Sequence, residues 1–501
     1  MSVTGSPDHS LERRSLMRAD ANLLSRFDRL PLTRTTVVAI VLLCAVWLIE
    51  SFDIGIVGTL LLVLKPHWGL TPTTTGLIGA SATIGLVLGI FPAGRLADRF
   101  GRKRVLIAGV LIFSVFTLAS AFSPNVWVLF ALRLIAGFGE GAVFPLPYTI
   151  LSELVNKHAR GRLMGWLNGL LNAGYTLPAL AGLFATTQFS WQVAWRVPLY
   201  IGGAFILLVP VLAKWLPETP RFLLKRAAQA GHSADRDRVR AWVEKLEDEA
   251  DVPHDEDLID PGPYAVLTET QNRDVRIRTI LVPPYLRRSL VSWCMLTASF
   301  VFWYTFLTYS PTLLAAFGAA GNQVLLFTAI MMFISAFGTI FQGMAGDRWG
   351  RKPVFATYIV LAALAMVVMP FKDTLGTPVV LVAGIVAAWF GLGSFALCKM
   401  YTAEQYPTRL RGLGTSCAEM VTRAATGGVL VYFLPHLFDR FGTTSVFIAS
   451  AFVMCLLLLP MIIWGHETRG ENMEVLGTPV RTTNFRTATS AQTTATTHPT
   501  T

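Results

Sequence analysis

The sequence predicts an all-α membrane protein, with twelve transmembrane helices in two pseudo-symmetric six-helix bundles. Three observations point there. Of 501 residues, 53% are apolar and only 15% charged, with a mean hydropathy of +0.52. Soluble chains carry about 25% charged residues, so the three or so soluble domains that this length would otherwise suggest are excluded. The apolar residues also fall in blocks of bilayer-spanning length, about 20 residues, and the first half of the chain recurs in the second.

The blocks set the organisation. The first six lie near 36–64, 74–96, 105–122, 126–150, 161–186 and 195–215. The second six lie near 289–316, 322–345, 353–371, 378–402, 412–434 and 443–465. Residues 1–35 form an N-terminal tail, 36–215 the first bundle, 216–288 a polar central loop, 289–465 the second bundle and 466–501 a C-terminal tail. The loop has an amphipathic segment around Asp235–Glu249, and the tail after Leu476 is Thr-rich and expected to be disordered.

The net charge of +11 could suggest nucleic acid, but the basic residues recur in short loops rather than on one face or tail. One set of loops holds Arg95, Arg99, Arg102, Lys103, Arg104, Lys157, Arg160, Arg162, Arg348, Arg351, Lys352, Arg409 and Arg411; the opposite set holds Lys65, Arg196, Lys372 and Arg440. By the positive-inside rule the first set, both termini and the central loop are cytoplasmic, in a cell (inner) membrane. The lipid bilayer is the expected partner, nucleic acid is not, and the expected unit is a monomer. The five cysteines lie inside apolar blocks without ligand or disulfide spacing, so neither a metal site nor a disulfide framework is expected. The first 34 residues are polar and hold six Arg, which does not read as a cleavable signal peptide.

The repeat is specific. Gly94-Arg-Leu-Ala-Asp98-Arg99-Phe-Gly101-Arg102-Lys103 returns as Gly343-Met-Ala-Gly-Asp347-Arg348-Trp-Gly350-Arg351-Lys352, displaced by 249 residues. Glu153 before Arg160-Gly161-Arg162 returns as Glu404 before Arg411-Gly412, and Glu218-Thr219 as Glu467-Thr468. Two six-helix halves related this way place a substrate site between them near the midplane.

These residues resemble the major facilitator superfamily, whose signature is the GxxxDRxGRK-type loop after the second and eighth spans. Arg133 with Gly137, Gly139 and Gly141, the Pro217-Glu-Thr-Pro-Arg221 segment and His466-Glu-Thr-Arg-Gly470 resemble its sugar-porter branch. That branch usually carries glutamines in the fifth and seventh spans. Here Asn168 and Asn172 stand in the fifth, and Ser299-Phe-Val-Phe-Trp303-Tyr304-Thr-Phe306-Leu-Thr-Tyr309 fills the seventh, which argues against a hexose. The first span, Trp47-Leu-Ile-Glu50-Ser-Phe-Asp53, is similar to metabolite:proton symporters of the aromatic-acid and nicotinate type, with Glu50 where an Asp is usual. The resemblance implies alternating access driven by the proton gradient, with no cofactor.

Each charge inside the membrane costs about 2.5–3.5 kcal/mol on insertion scales and asks for a reason. Glu50 and Asp53 share a face of span 1, and Arg133 of span 4 lies at the depth of Asp53. Burial and a nearby guanidinium pull a carboxylate's proton affinity in opposite directions. Asp53, Arg133 and Glu50 are therefore the proton-coupling candidates, with a permanently ionised packing pair as the alternative. Glu140, two turns after Arg133, either pairs with it or meets a polar group across the cavity. Glu419 and Arg423 can satisfy each other at i, i+4, or Arg423 can take a substrate carboxylate in its bidentate fork. Trp303, Tyr304 and Tyr309 could stack on a flat ring; Asn168, Asn172 and Tyr175 share a face of span 5 that lines a cavity or joins another helix. Lys399, near the end of span 10, is expected to snorkel.

In the superfamily the repeated loop is implicated in closing the cytoplasmic side. The implied gate is Gly94, Asp98, Arg99, Gly101 and Arg102 with its repeat Gly343, Asp347, Arg348, Gly350 and Arg351. Glu153 with Arg160, and Glu404 with Arg411, are expected as further latches. The sequence thus reads as a secondary transporter, a proton symporter importing a small aromatic or carboxylated metabolite. The alternatives are a facilitative or proton-coupled sugar carrier, a proton-coupled efflux carrier, or a non-transporting nutrient sensor. No catalytic His, Cys or Ser constellation or phosphate loop marks an enzyme.

Overall fold

The computed structural model describes residues 19–20, 22–155, 163, 169–171, 173–228, 233–254, 277–283, 285–316, 321–406 and 408–468. Among these, ten helices are long and apolar enough to cross a membrane. In chain order the first are Arg34–Trp68 (span 1), Pro72–Phe100 (span 2), Arg102–Ser120 (span 3) and Val126–Leu154 (span 4). Trp191–Trp215 follows as span 6, then Tyr285–Phe306, Gln323–Trp349, Arg351–Val368 and Pro378–Glu404 as spans 7 to 10. The tenth helix, Leu410–Trp464, holds spans 11 and 12, joined at Gly442, whose backbone leaves the helical region at φ 74°. Span 5 is described over its last part, Thr176–Gln188. The twelve-helix reading is borne out.

Local chemistry sets the boundaries. Thr33 accepts from the Thr36 amide to open span 1, and Asn125 accepts from Trp127 and Val128 to open span 4. Pro72 stands in the first turn of span 2, where its missing N–H costs nothing. Span 4 is interrupted at Phe144–Pro145, because a proline cannot donate back into the preceding turn. Span 11 widens into a π-helical stretch, Ala424–Leu430, directly after Arg423; such stretches are frequent at functional sites.

Spans 1–6 and 7–12 form the two halves, which meet where span 1 packs on span 7, span 2 on span 11, and span 5 on span 8. At the end opposite the basic loops the halves touch closely. Thr73 and His436 share a 3.1 Å hydrogen bond there. A Cβ on Gly76 would stand 2.2 Å from the Tyr432 carbonyl oxygen. At the basic-loop end they diverge around a cavity of about 240 Å³.

At that same end the N-terminal segment docks on the central loop. Leu23, Phe27 and Leu30 pack with Leu224, Val239, Val243 and Leu246. Arg26 donates twice to Glu247 of the Ala234–Ala250 helix, at 3.0 and 2.6 Å. The Thr35 amide donates to Glu249 at 2.8 Å, tying this assembly to the start of span 1.

Candidate functional site

The one-turn spacing of Glu50 and Asp53 in span 1 sends the two carboxylates to different partners. Arg133 Nη1 and Nη2 donate to the two oxygens of Asp53 at 2.5 and 2.7 Å, and both side chains are fully buried. Both residues belong to the first half. Glu50 instead reaches across to the second half, where Arg423 Nη2 of span 11 donates to its Oε1 at 2.8 Å. Arg423 also donates from Nε to Glu419 at 3.3 Å and from Nη1 to the Tyr304 hydroxyl at 3.5 Å. Its guanidinium lies over the rings of Phe144, at 4.1 Å, and Phe300, at 5.2 Å.

The cavity at the basic-loop end is lined by Phe144, Tyr148 and Thr149 of span 4, Lys399 and Thr402 of span 10, and Ser416 and Glu419 of span 11. A smaller recess, lined by Tyr175, Phe300, Trp303, Phe395 and Arg423, shares Lys399 with it. Its aromatic rings interlock edge to face, with Tyr175–Trp303 at 5.2 Å and Phe300–Phe395 at 4.8 Å between centroids. The site thus joins two cations to a wall of flat rings, a combination suited to a flat organic anion.

Several expectations need correction. Glu140 is not paired with Arg133: it is fully buried, and neither carboxylate oxygen has a hydrogen-bond partner. Asp53 takes both terminal nitrogens of Arg133, and the remaining Arg133 Nε is likewise buried without a partner. Lys399 does not snorkel. It turns inward, 3.7 Å from Glu419, over the rings of Phe144 and Tyr148. Glu419 and Arg423 do meet at i, i+4, and Trp303, Tyr304 and Tyr175 are buried at the site. Asn168, Asn172 and Arg160, with the side chain of Tyr309, lie outside the described residues.

The repeated loop residues assemble differently from the expected gate. Arg102 pairs with Glu153 and donates to Thr219 at 2.9 Å. In the repeat, Arg351 bonds Asp347 at 2.5 Å and Glu404 at 3.3 Å, and Glu404 accepts from Thr468 at 2.5 Å. Glu404 therefore meets Arg351 rather than Arg411, whose Nε donates to the Ala403 carbonyl. Asp98, Arg99 and Arg348 are exposed, and a Cβ on Gly94 or Gly343 would meet open space. Among the described residues, each cluster ties helices within one half.

The residues that organise these clusters were visible only as a repeat without a role. Glu218 accepts from the Arg102 and Lys103 amides at 3.1 and 3.2 Å, and Glu467 accepts from Arg351 and Lys352 at 2.8 and 3.0 Å. Each caps the N-terminus of an earlier span of its own half, span 3 or span 9, with a carboxylate, where the helix dipole favours negative charge. Gly101 and Gly350, at φ 104° and 100°, let those carboxylates approach; a Cβ on Gly101 would stand 2.3 Å from Glu218 Oε2.

Known proteins resemble this chain along nearly its whole length. The family described as "Sugar (and other) transporter" matches residues 37–478. The niacin transporter NiaP of Acinetobacter baylyi is 30% identical over 456 residues, covering 91% of this chain and all of that protein. The 4-hydroxybenzoate transporter PcaK of Pseudomonas putida is 29% identical over 75% of this chain and 81% of its own. In fold, the partially occluded inward-open xylose transporter XylE of E. coli superposes with a TM-score of 0.69 at 17% identity, over 87% of this chain and 99% of its own.

Proposed function

The chain belongs to the sugar (and other) transporter family of membrane carriers, and on that footing we propose that it is a proton symporter importing a small aromatic carboxylate by alternating access. The observation that carries this reading is Arg423. Its guanidinium is buried among Phe144, Phe300 and Trp303 beside Lys399, yet no single carboxylate fills its fork as Asp53 fills that of Arg133. A flat ring would lie against the aromatics while its carboxylate takes the fork. The acids transported by the relatives, niacin and 4-hydroxybenzoate by their names, have that shape and charge.

Glu50, Asp53 and Arg133 are the proton-coupling groups of this proposal. Alternating access moves the halves against each other, so Glu50, which reaches across them, changes partner more readily than Asp53, which does not. The basic loops, both termini and the central loop face the cytoplasm of a bacterial-type inner membrane, so the cavity is inward-facing, and the carrier works as a monomer. Uptake of labelled benzoate and nicotinate into proteoliposomes with an imposed pH gradient tests this. Accumulation abolished by a protonophore is expected, and uptake of a hexose in place of either acid would overturn it.

A further inference from the structure

Arg423 and Glu50 are more than two ends of a salt bridge. Arg423 distributes single bonds to three acceptors, Glu50, Glu419 and the Tyr304 hydroxyl, although its terminal nitrogens could hold one carboxylate bidentately. Glu50 contributes one oxygen to that contact; its other oxygen is buried with no hydrogen-bond partner. Both side chains are buried between the two halves, 2% and 0% exposed.

We propose that Glu50 is an internal stand-in for the ligand's carboxylate: it holds Arg423 while the carrier is empty, and a carboxylate ligand that takes Arg423 obliges Glu50 to take up a proton. This deepens the symport reading and rests on it. The step balances in charge and atoms. A ligand R–COO⁻, one proton and the ion pair Glu50⁻···Arg423⁺ become R–COO⁻···Arg423⁺ and a neutral Glu50 carboxyl.

The surroundings of Glu50 make the proton obligatory. Asp53 on its own helix and Glu140 on span 4 are carboxyl groups, and Glu419 on span 11 is a third. Tyr148 of span 4 and Tyr175 of span 5 face it from the remaining sides. Among the described residues, Lys399 is the remaining cation facing it and is engaged with Glu419; Arg133 is held by Asp53. A buried carboxylate stripped of its partner neutralises rather than staying charged. Ligand and proton are thus bound together or not at all, without a gate that senses both.

The test is calorimetric, on the full-length protein in nanodiscs, titrated with benzoate and with nicotinate in two buffers of different ionisation heat. Uptake of one proton per acid bound is expected, with none for benzamide or nicotinamide. Acid affinity falls about tenfold per pH unit where Glu50 is ionised in the empty carrier. In Glu50→Gln the proton uptake disappears and the affinity becomes flat with pH; Glu50→Asp, which keeps an ionisable group, retains the uptake. Wild-type uptake persisting in Glu50→Gln would overturn the inference. So would acid binding to wild type without uptake, the result if Glu50 re-paired with Lys399. Failure of both acids to bind wild type would instead bring down the carboxylate reading itself, and the inference with it.

Discussion

Asp53 and Arg133 are joined by two hydrogen bonds inside a single half, at 2.5 and 2.7 Å with neither side chain exposed. Breaking such a pair from one side strands a buried charge, at a cost of about 3–5 kcal/mol. Asp53→Asn and Arg133→Gln should each lower the midpoint of thermal unfolding in detergent. The double variant, which strands no charge, should recover part of the loss. Single variants as stable as wild type would show that the pair is not held as described.

Glu218 and Glu467 cap spans 3 and 9. Replacing either with Gln keeps an acceptor but removes the negative charge at a helix N-terminus, worth about 0.3–1 kcal/mol. The two sites lie in different halves, so the losses should add in the double variant. Gly101→Ala should cost more than either, because φ 104° and the nearby Glu218 carboxylate both oppose a side chain. Equal unfolding midpoints for Gly101→Ala and wild type would contradict the cap geometry.

The docking of the N-terminal segment on the Ala234–Ala250 helix depends on pH. Burial works to raise the pKa of Glu247, but hydrogen bonds from Arg26 and Arg29 outweigh it and hold the carboxyl below the usual glutamate range. A group depressed in the folded state stabilises at pH above its unfolded pKa, about 4.3, and that contribution is lost as pH falls through the folded value. Hydrogen-exchange protection of residues 234–250, taken relative to the intrinsic rate at each pH, should therefore be high at neutral pH and fall only on strong acidification. Glu247→Gln should exchange fast already at neutral pH; protection equal to wild type would refute the clasp.

Gly76 meets the Tyr432 carbonyl where the halves touch. Gly76→Val should prop that end open and shift the carrier away from the conformation seen here. A cysteine placed at Thr75, which is buried beside this contact, reports it: modification by a membrane-impermeant thiol reagent from outside should be slow in the Thr75→Cys single variant and faster when Gly76→Val is added. Equal rates would mean that the contact does not close the end.

Apolar blocks and loop charge made the twelve spans legible, because hydrocarbon imposes length and composition on any helix that crosses it. The Asp53–Arg133 contact was legible too, since buried opposite charges at one depth have few other solutions. What depended on helix rotation and bending was not. Lys399 near a helix end looks like a snorkelling residue, and only the turn of span 10 toward the cavity sends it to Glu419. The Arg423–Glu50 contact joins residues 373 apart in sequence and arises from the packing of the two halves. Glu218 and Glu467 had a detectable signal, their shared offset with the Gly101 and Gly350 loops, but a repeat identifies a position without its hydrogen-bond partner.

The most direct measurement is the external pH of proteoliposomes on addition of benzoate, nicotinate, their amides or a hexose, with empty liposomes to subtract passive diffusion of the acids. Alkalinisation on adding an acid, absent with the amides and the hexose and lost in Arg423→Gln, is the expected result. Movement of the hexose without a proton signal, or an acid-driven signal unchanged in Arg423→Gln, would contradict a carboxylate symporter built around Arg423.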